Sequence, residues 1–228
     1  MAVTGLTAPA SLSFTGSTIG RKAVMAASGV ILFGFVLGHM AGNLQVYLGR
    51  ESFNAYAEFL RHVLHGTGLW IARAVLLAAV IAHGWAAWTT SRASWAARPT
   101  GYRRWTPRES TYASRTMRWG GVIIAAFVVY HLLHFTFGTA HPDFIPTDPY
   151  HNFVTGFEQW PVAAVYIAAN IVLGFHLRHG VWSLLQTLGL SHPRYKRLAV
   201  GAALLFALVV TLGNLSFPIA VLTGVVQL

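Results

Sequence analysis

Six histidines of this 228-residue chain fall within long apolar segments: His39, His83, His131, His134, His176 and His179. An imidazole at membrane depth is costly unless it faces a partner, a cavity or a cofactor. Two such rings on facing helices at one level suit the two axial positions of a haem iron. Neutral imidazole is a good iron ligand, and a helical bundle shields a porphyrin from water. Other chemistries are thinly supplied. The chain has no cysteine, hence no disulfide framework, thiolate metal site or thiol nucleophile, and its six Asp and Glu leave little for carboxylate catalysis. Any metal falls to histidine or carboxylate.

The elements that must position these rings follow from composition. Hydrophobic residues make up 55% of the chain and charged residues 10%, with a mean hydropathy of +0.54. A soluble domain carries about a quarter charged residues, so disorder and an ordinary soluble domain are both disfavoured. Apolar segments at about 22–48, 67–92, 116–139, 160–188 and 196–224 each reach the roughly 20 residues a helix needs to cross hydrocarbon. They must be helical, because no backbone group can stay unpaired in lipid. Turn formers such as Gly49, Arg98-Pro99, His141-Pro142, Asp148-Pro149 and His192-Pro193 separate them. The expected fold is an all-α integral membrane bundle of five transmembrane helices, one domain over 1–228. The first twenty residues carry no charge and lack the basic region of a signal peptide, so they are expected to stay on the mature protein as a short surface segment.

Charge sets the expected orientation. Arg92, Arg98, Arg103, Arg104, Arg108, Arg115 and Arg118 oppose the single acid Glu109, and Arg21, Lys22, Arg194, Lys196 and Arg197 fall on the same side. The other side holds Arg50 and Arg61 with Glu51 and Glu58, then a loop with Asp143, Asp148 and Glu158 and no Lys or Arg. The positive-inside rule places the N-terminus in the cytoplasm and the C-terminus outside. Topology thus accounts for the net charge of +10, and no nucleic-acid partner is expected.

Depth then sorts the histidines. His39 lies 17 residues beyond Lys22 and His131 14 beyond Met117, about 25 and 21 Å from the cytoplasmic side at 1.5 Å per residue. His83 and His176 each lie 15 residues after the outer start of their helices, at Gly68 and Pro161, about 22 Å from the outside. His39 and His131 therefore form an outer pair, and His83 and His176 an inner one. Depth alone does not separate His134 from His131 or His179 from His176, since each follows by three residues. His62, His65, His141, His151 and His192 sit in loops or at helix ends, where ordinary structural roles are expected. Most tryptophans lie near helix ends as an interfacial belt, and Gly34, Gly38 and Gly42 permit close approach of a helix or a flat porphyrin. Arg178 either snorkels to the inner surface or pairs with a haem propionate. Ser17 and Arg21, four apart at the start of the first helix, either cap it or bind a quinone carbonyl.

With these residues in place, the chain resembles the five-helix, dihaem cytochrome b membrane anchor of succinate dehydrogenases and fumarate reductases. The resemblance runs from about Gly20 to Leu222. It rests on GRKAVMAASGVILFGFVLGHM with His39, GRESFNAYAEFL, AVIAHGW with His83, RTMRWGGVIIAAFVVYHLLH with His131, and FHLRHGVWSLLQTLGL with His176. It implies two haem b groups, the outer held by His39 and His131 and the inner by His83 and His176. The first histidine of an H-x-x-x-G step, His176 with Gly180, resembles the fourth-helix ligand, and Tyr130-His131 resembles the third. Where some dihaem relatives carry a glutamate implicated in transmembrane proton transfer, this chain has Gly174. Glu58 loosely resembles an acidic residue of the distal quinone region.

The resemblance further implies a multi-pass protein of a bacterial cytoplasmic membrane. It would be the non-catalytic-for-succinate subunit of a succinate:quinone oxidoreductase, in a complex free to assemble into a higher oligomer. A flavoprotein subunit and an iron–sulfur subunit would pass electrons to it, and menaquinone is the expected quinone. Basic cytoplasmic loops would dock the iron–sulfur subunit. Two rivals stand beside this: a stand-alone transmembrane cytochrome b carrier, which would purify without flavin, and a histidine-relay proton transporter, which would show no haem absorption.

Overall fold

The computed structural model describes residues 14–97, 100, 112–190 and 192–228. The first thirteen residues and the central basic stretch with Arg98, Arg103, Arg104, Arg108 and Glu109 lie outside the described residues. The structure is 87% helix, with no strand among the described residues. Among the described residues seven α-helices follow in order: α1 (Thr18–Asn43), α2 (Arg50–His62), α3 (Thr67–Ala96), α4 (Tyr112–His131), α5 (Pro149–Glu158), α6 (Trp160–Thr187) and α7 (Pro193–Leu222). Five spans of these residues are long and apolar enough to cross a membrane: Thr18–Leu48, Arg50–Ala96, Tyr112–Thr136, Trp160–Thr187 and Pro193–Leu222.

The helices begin a few residues before their expected starts where a cap or proline is available. Ser17 caps α1 by accepting from the Gly20 N–H, and Pro193 opens α7. Two short helices were expected only as loop. One is α2, whose Phe53 is buried while Glu51 and Glu58 stay on the polar face. It returns into α3 through Leu64, His65 and Gly66, all with positive φ (50°, 55° and 86°), so the chain reverses within one tight turn. The other is α5, which Asp148 and Pro149 start as cap and first residue.

These two helices close one end of the bundle. Phe53 meets Tyr150 and Phe153 edge-on, at centroid distances of 6.3 and 5.5 Å. The main core cluster sits beneath them and includes Met40, Val46, Phe157, Tyr166, Phe217 and Val221. The other end, the open end, has no short α-helix across it among the described residues. It carries Arg21, Lys22, Arg92, Arg115, Arg118, Arg194, Lys196 and Arg197, whereas all five described acids belong to the capped end or its connections.

Between the ends, α1 packs on α3, α4 on α6, and α6 most extensively on α7. Buried Ala199, Ala203 and Ala207 form a small-residue seam along α7 that lets backbones approach where lipid supplies no hydrophobic drive. Gly174 belongs to this contact: a Cβ there would collide with the Thr211 hydroxyl. A side chain at 174 would have to displace the Thr211 side chain from the α6–α7 contact, which gives the departure from glutamate a packing reason. The lipid-type surface is extensive. Only 6% of the most apolar windows of the α2–α3 and α4 spans is buried in the bundle, an exposure no soluble monomer tolerates.

Asp148 holds the capped end together. Its carboxylate accepts from Asn54 Nδ2 at 2.8 Å and the His151 N–H at 3.1 Å and pairs with Arg50, while Asn54 Oδ1 accepts the Tyr150 N–H at 2.9 Å. Burial alone would raise this carboxyl's pKa. The hydrogen bonds from Asn54 and the His151 N–H, with Arg50 beside them, outweigh burial and hold it below its ordinary value. Asp148→Ala should therefore lower stability by about 2 kcal/mol at neutral pH, read as a drop in the thermal midpoint in detergent. A depressed carboxylate stabilises above its unfolded pKa of about 4 and loses that contribution as pH falls through the folded value. The gap between wild type and variant should stay constant above about pH 5 and close in acid.

Candidate functional site

Helix directions bring four of the six intramembrane histidines together as two pairs. His39 of α1 faces His131 of α4, with ring centroids 5.8 Å apart and planes at 79°. His83 of α3 faces His176 of α6 at 6.3 Å and 59°. A metal bonded to one nitrogen of each ring at about 2.0 Å holds the two centroids about 6 Å apart, so both separations fit a single metal between the rings. Among the described residues no three His, Cys, Asp or Glu gather to hold a bare ion. Two protein nitrogens per site suit a group that brings its own in-plane ligands, as haem does.

The pairs lie at different depths. The His83 ring meets α1 at Ser28 and Gly29, with Ser28 Oγ 3.3 Å from His83 Nδ1 and a Cβ built on Gly29 3.7 Å from His83 Cε1. His39 is ten to eleven residues further along α1, about 16 Å. On α4, a Cβ built on Gly121 comes 3.8 Å from His176 Cε1, and His131 is ten residues on, about 15 Å. Two independent helices thus give one spacing, about half the 30 Å hydrocarbon core.

Ring orientation follows from what holds Nδ1. The Ser28 hydroxyl contacts His83 Nδ1, and the Tyr166 hydroxyl contacts His131 Nδ1 at 3.2 Å. Fixing one ring nitrogen leaves Nε2 for a metal. His176 Nδ1 is buried without a hydrogen-bond partner, and His39 stacks on Phe35 at 5.3 Å. Nothing lies within 4 Å of a Cβ built on Gly34, Gly38 or Gly84, which are exposed on the bundle surface. Gly34 and Gly38 precede His39 along the chain and Gly84 follows His83. Gly42, by contrast, lies under the Tyr56 ring, whose hydroxyl would come 2.6 Å from an added Cβ.

The remaining histidines part from the pairs. His134 is fully buried, stacked on Tyr130 and 4.8 Å from the His141 ring, with Nδ1 3.1 Å from the Tyr166 hydroxyl. His141, expected as an ordinary loop residue, is itself buried and bonds the Asn152 carbonyl at 2.8 Å. His179 lines a cleft of about 80 Å³ with Arg178, Ala113, Trp182, Val200 and Ala203. Arg178 thus lines the α4–α6–α7 cleft together with His179. His192 caps α7, His151 meets Asp143 at 2.9 Å, and Glu58 is spent on Arg61 and His62 at 3.6 and 3.2 Å.

At the open end, Ser17 and Arg21 take different places. The Ser17 hydroxyl donates to the Phe14 carbonyl and accepts from Gly20, so it is occupied by the cap. Arg21 donates to the Thr15 and Gly16 carbonyls, at 3.1 Å each. It also lines a cavity of about 290 Å³ with Thr18, Lys22, Thr90, Ala93 and Ser94, into which no sequence pattern pointed. Thr90 Oγ1 is buried there without a partner. Thr90 follows His83 by seven residues on α3, about 10 Å nearer the open end. Tyr166, Ser28 and Thr90 escaped sequence reasoning because a hydroxyl in an apolar helix carries no spacing signal of its own.

No curated protein and no solved structure matches the chain. A family model described as succinate dehydrogenase/fumarate reductase transmembrane subunit matches residues 96–212, about half the chain. The match takes in α4, α5, α6 and most of α7, and with them one histidine of each facing pair. Five apolar spans, paired intramembrane histidines and this match agree, and the chain belongs to the family of succinate dehydrogenase/fumarate reductase transmembrane subunits.

Proposed function

We propose that the chain is the haem b electron-transfer anchor of a succinate:quinone oxidoreductase. It would bind one haem between His39 and His131 and a second between His83 and His176. The observation that carries this reading is the two facing ring pairs at centroid separations of 5.8 and 6.3 Å, stacked along the bundle. Each haem, when bound, supplies a one-electron carrier. The protein's part is to hold both rings of a pair, fix the tautomer of one ring in each through Ser28 and Tyr166, and keep water out with apolar helices. In this reading the open, basic end faces a bacterial cytoplasm and docks the iron–sulfur subunit, which a flavoprotein subunit supplies with electrons.

The open-end cavity supports a quinone headgroup site. Two hydrogen bonds engage Arg21, and guanidinium has five N–H donors, so donors remain for a quinone oxygen, with the Thr90 and Ser94 hydroxyls beside it. A cation and hydroxyls there favour the reduced, more negative oxygen. Ser17 serves this site by starting α1 and holding Arg21 at its mouth. Menaquinone is the proposed acceptor.

The pairing predicts unequal neighbours. His131→Ala and His176→Ala should each remove one haem from the purified complex, whereas His134→Ala and His179→Ala should leave both bound, measured as haem per chain by pyridine haemochrome. Loss of haem from the His134 or His179 variant, with retention in its neighbour, would transfer the ligand role.

The quinone site predicts a split between two assays of the intact complex. Arg21→Ala should lower succinate:quinone turnover by at least about tenfold, the loss expected for one charge-assisted hydrogen bond. Succinate oxidation by an artificial acceptor at the flavoprotein should stay normal. Glu58→Gln should leave both assays near wild type, and the opposite pattern would put the working site at the capped end.

A further inference from the structure

We infer that Tyr166 is the positioning residue that makes His131 able to ligate iron, and that iron binding at His131 in turn dictates the tautomer of His134. The inference rests on the proposed haem between His39 and His131. It starts from a count of protons. The Tyr166 hydroxyl lies 3.2 Å from His131 Nδ1 and 3.1 Å from His134 Nδ1. A phenol has one proton to donate. It can donate to only one of the two imidazoles and must accept an N–H from the other.

The two arrangements are not equivalent. If Tyr166 donates to His131, then the neutral His131 ring carries its proton on Nε2, and that nitrogen has no lone pair for a metal. If His131 donates its Nδ1–H to Tyr166, Nε2 is free to ligate, and Tyr166 donates onward to His134 Nδ1. His134 then carries its proton on Nε2, an atom buried without a partner. Leaving such a donor unpaired is costly, and close packing holds the ring there regardless. His134 is stacked on Tyr130 and on His141. Gly156 of α5 fits so closely that an added Cβ would come 2.9 Å from His134 Cε1 and 3.0 Å from His141 Nε2.

Tyr166 itself has no freedom to leave. It is 5% exposed, and the rings of Phe127 and Phe157 meet it edge-on with centroids 4.9 Å away. The second pair does not involve Tyr166: its hydroxyl contact is Ser28 Oγ at His83 Nδ1, and His176 Nδ1 is unpartnered. A hydrogen bond from Nδ1–H to an acceptor raises the basicity of the ligating nitrogen and stabilises the more positive metal state. Tyr166 is therefore placed to lower the reduction potential of one haem and not of the other.

The test is a redox titration with EPR of the complete complex in membranes, comparing wild type, Tyr166→Phe and Tyr130→Phe, with His131→Ala identifying the haem concerned. Tyr130 packs on His134 and Tyr166 but makes no hydrogen bond with His131, so its variant controls for general loosening. Tyr166→Phe should shift the ferric–ferrous balance of that haem about tenfold towards ferrous, a rise of about 59 mV for one electron. Its low-field EPR feature should move, and the other haem and the Tyr130→Phe variant should stay at wild-type values. Unmoved potential and EPR in Tyr166→Phe, or an equal shift in Tyr130→Phe, overturns the assignment. If Tyr166→Phe loses that haem, 3-fluorotyrosine at 166 keeps the bulk with a poorer acceptor oxygen. A smaller rise then supports the assignment, and an unchanged potential overturns it. Wild type without haem would contradict the proposed function and this assignment with it, whereas haems present at unmoved potentials would contradict this assignment alone.

Discussion

An imidazole carried into hydrocarbon needs a use for each ring nitrogen, because no water is there to supply one. The arrangement of the bundle follows from that constraint. In each pair, one histidine has its Nδ1 met by a hydroxyl from a neighbouring helix: Ser28 of α1 for His83, and Tyr166 of α6 for His131. These contacts tie α1 to α3 and α4 to α6, the same partners that pack side by side. The two rings of each pair stand with centroids 5.8 and 6.3 Å apart, a separation that fits one metal. The helices are thus held in register by the polar groups they would otherwise be penalised for burying.

The two ends of the bundle answer different demands. The capped end places its largest aromatic cluster over the His39–His131 pair, with Asp148 fastening α2 to α5 and Gly156 letting α5 lie close on His134. Among the described residues the open end has no such lid. Basic residues line it, and the cavity beside Arg21 begins at Thr90, about two helical turns along α3 from His83. This polarity suits the proposed role, in which the chain would receive electrons from a docked partner at the basic end. The tight contact of Gly174 with Thr211 commits that part of α6 to packing, so a titratable side chain there would come at the cost of the α6–α7 seam.

Much of this was legible in residue order. Hydropathy alone marks five spans, because lipid tolerates nothing but a run of about 20 apolar residues. The rise per residue sorts His39, His83, His131 and His176 by depth. Depth says nothing of azimuth, however. His134 and His179 share the depth of their neighbours and differ only in the face they present, which tertiary contacts decide. Arg178 shows the same gap: two residues from His176 is about 200° around the helix, and it lies in the cleft with His179. The helices α2 and α5 were hidden for another reason. Both are too short and too polar on one side to stand out, and Asp148-Pro149, which starts a helix, spells a turn equally well. Ser17 and Arg21 have the spacing of a donor pair, but the cap claims the serine.

The account stands on two haems held by two histidine pairs. Its most direct test is a reduced-minus-oxidised absorption spectrum of the wild-type chain purified with its partner subunits, read together with a haem-to-chain ratio. The account predicts b-type absorption bands at a ratio of two. A fully assembled complex with a ratio of zero or one would contradict it.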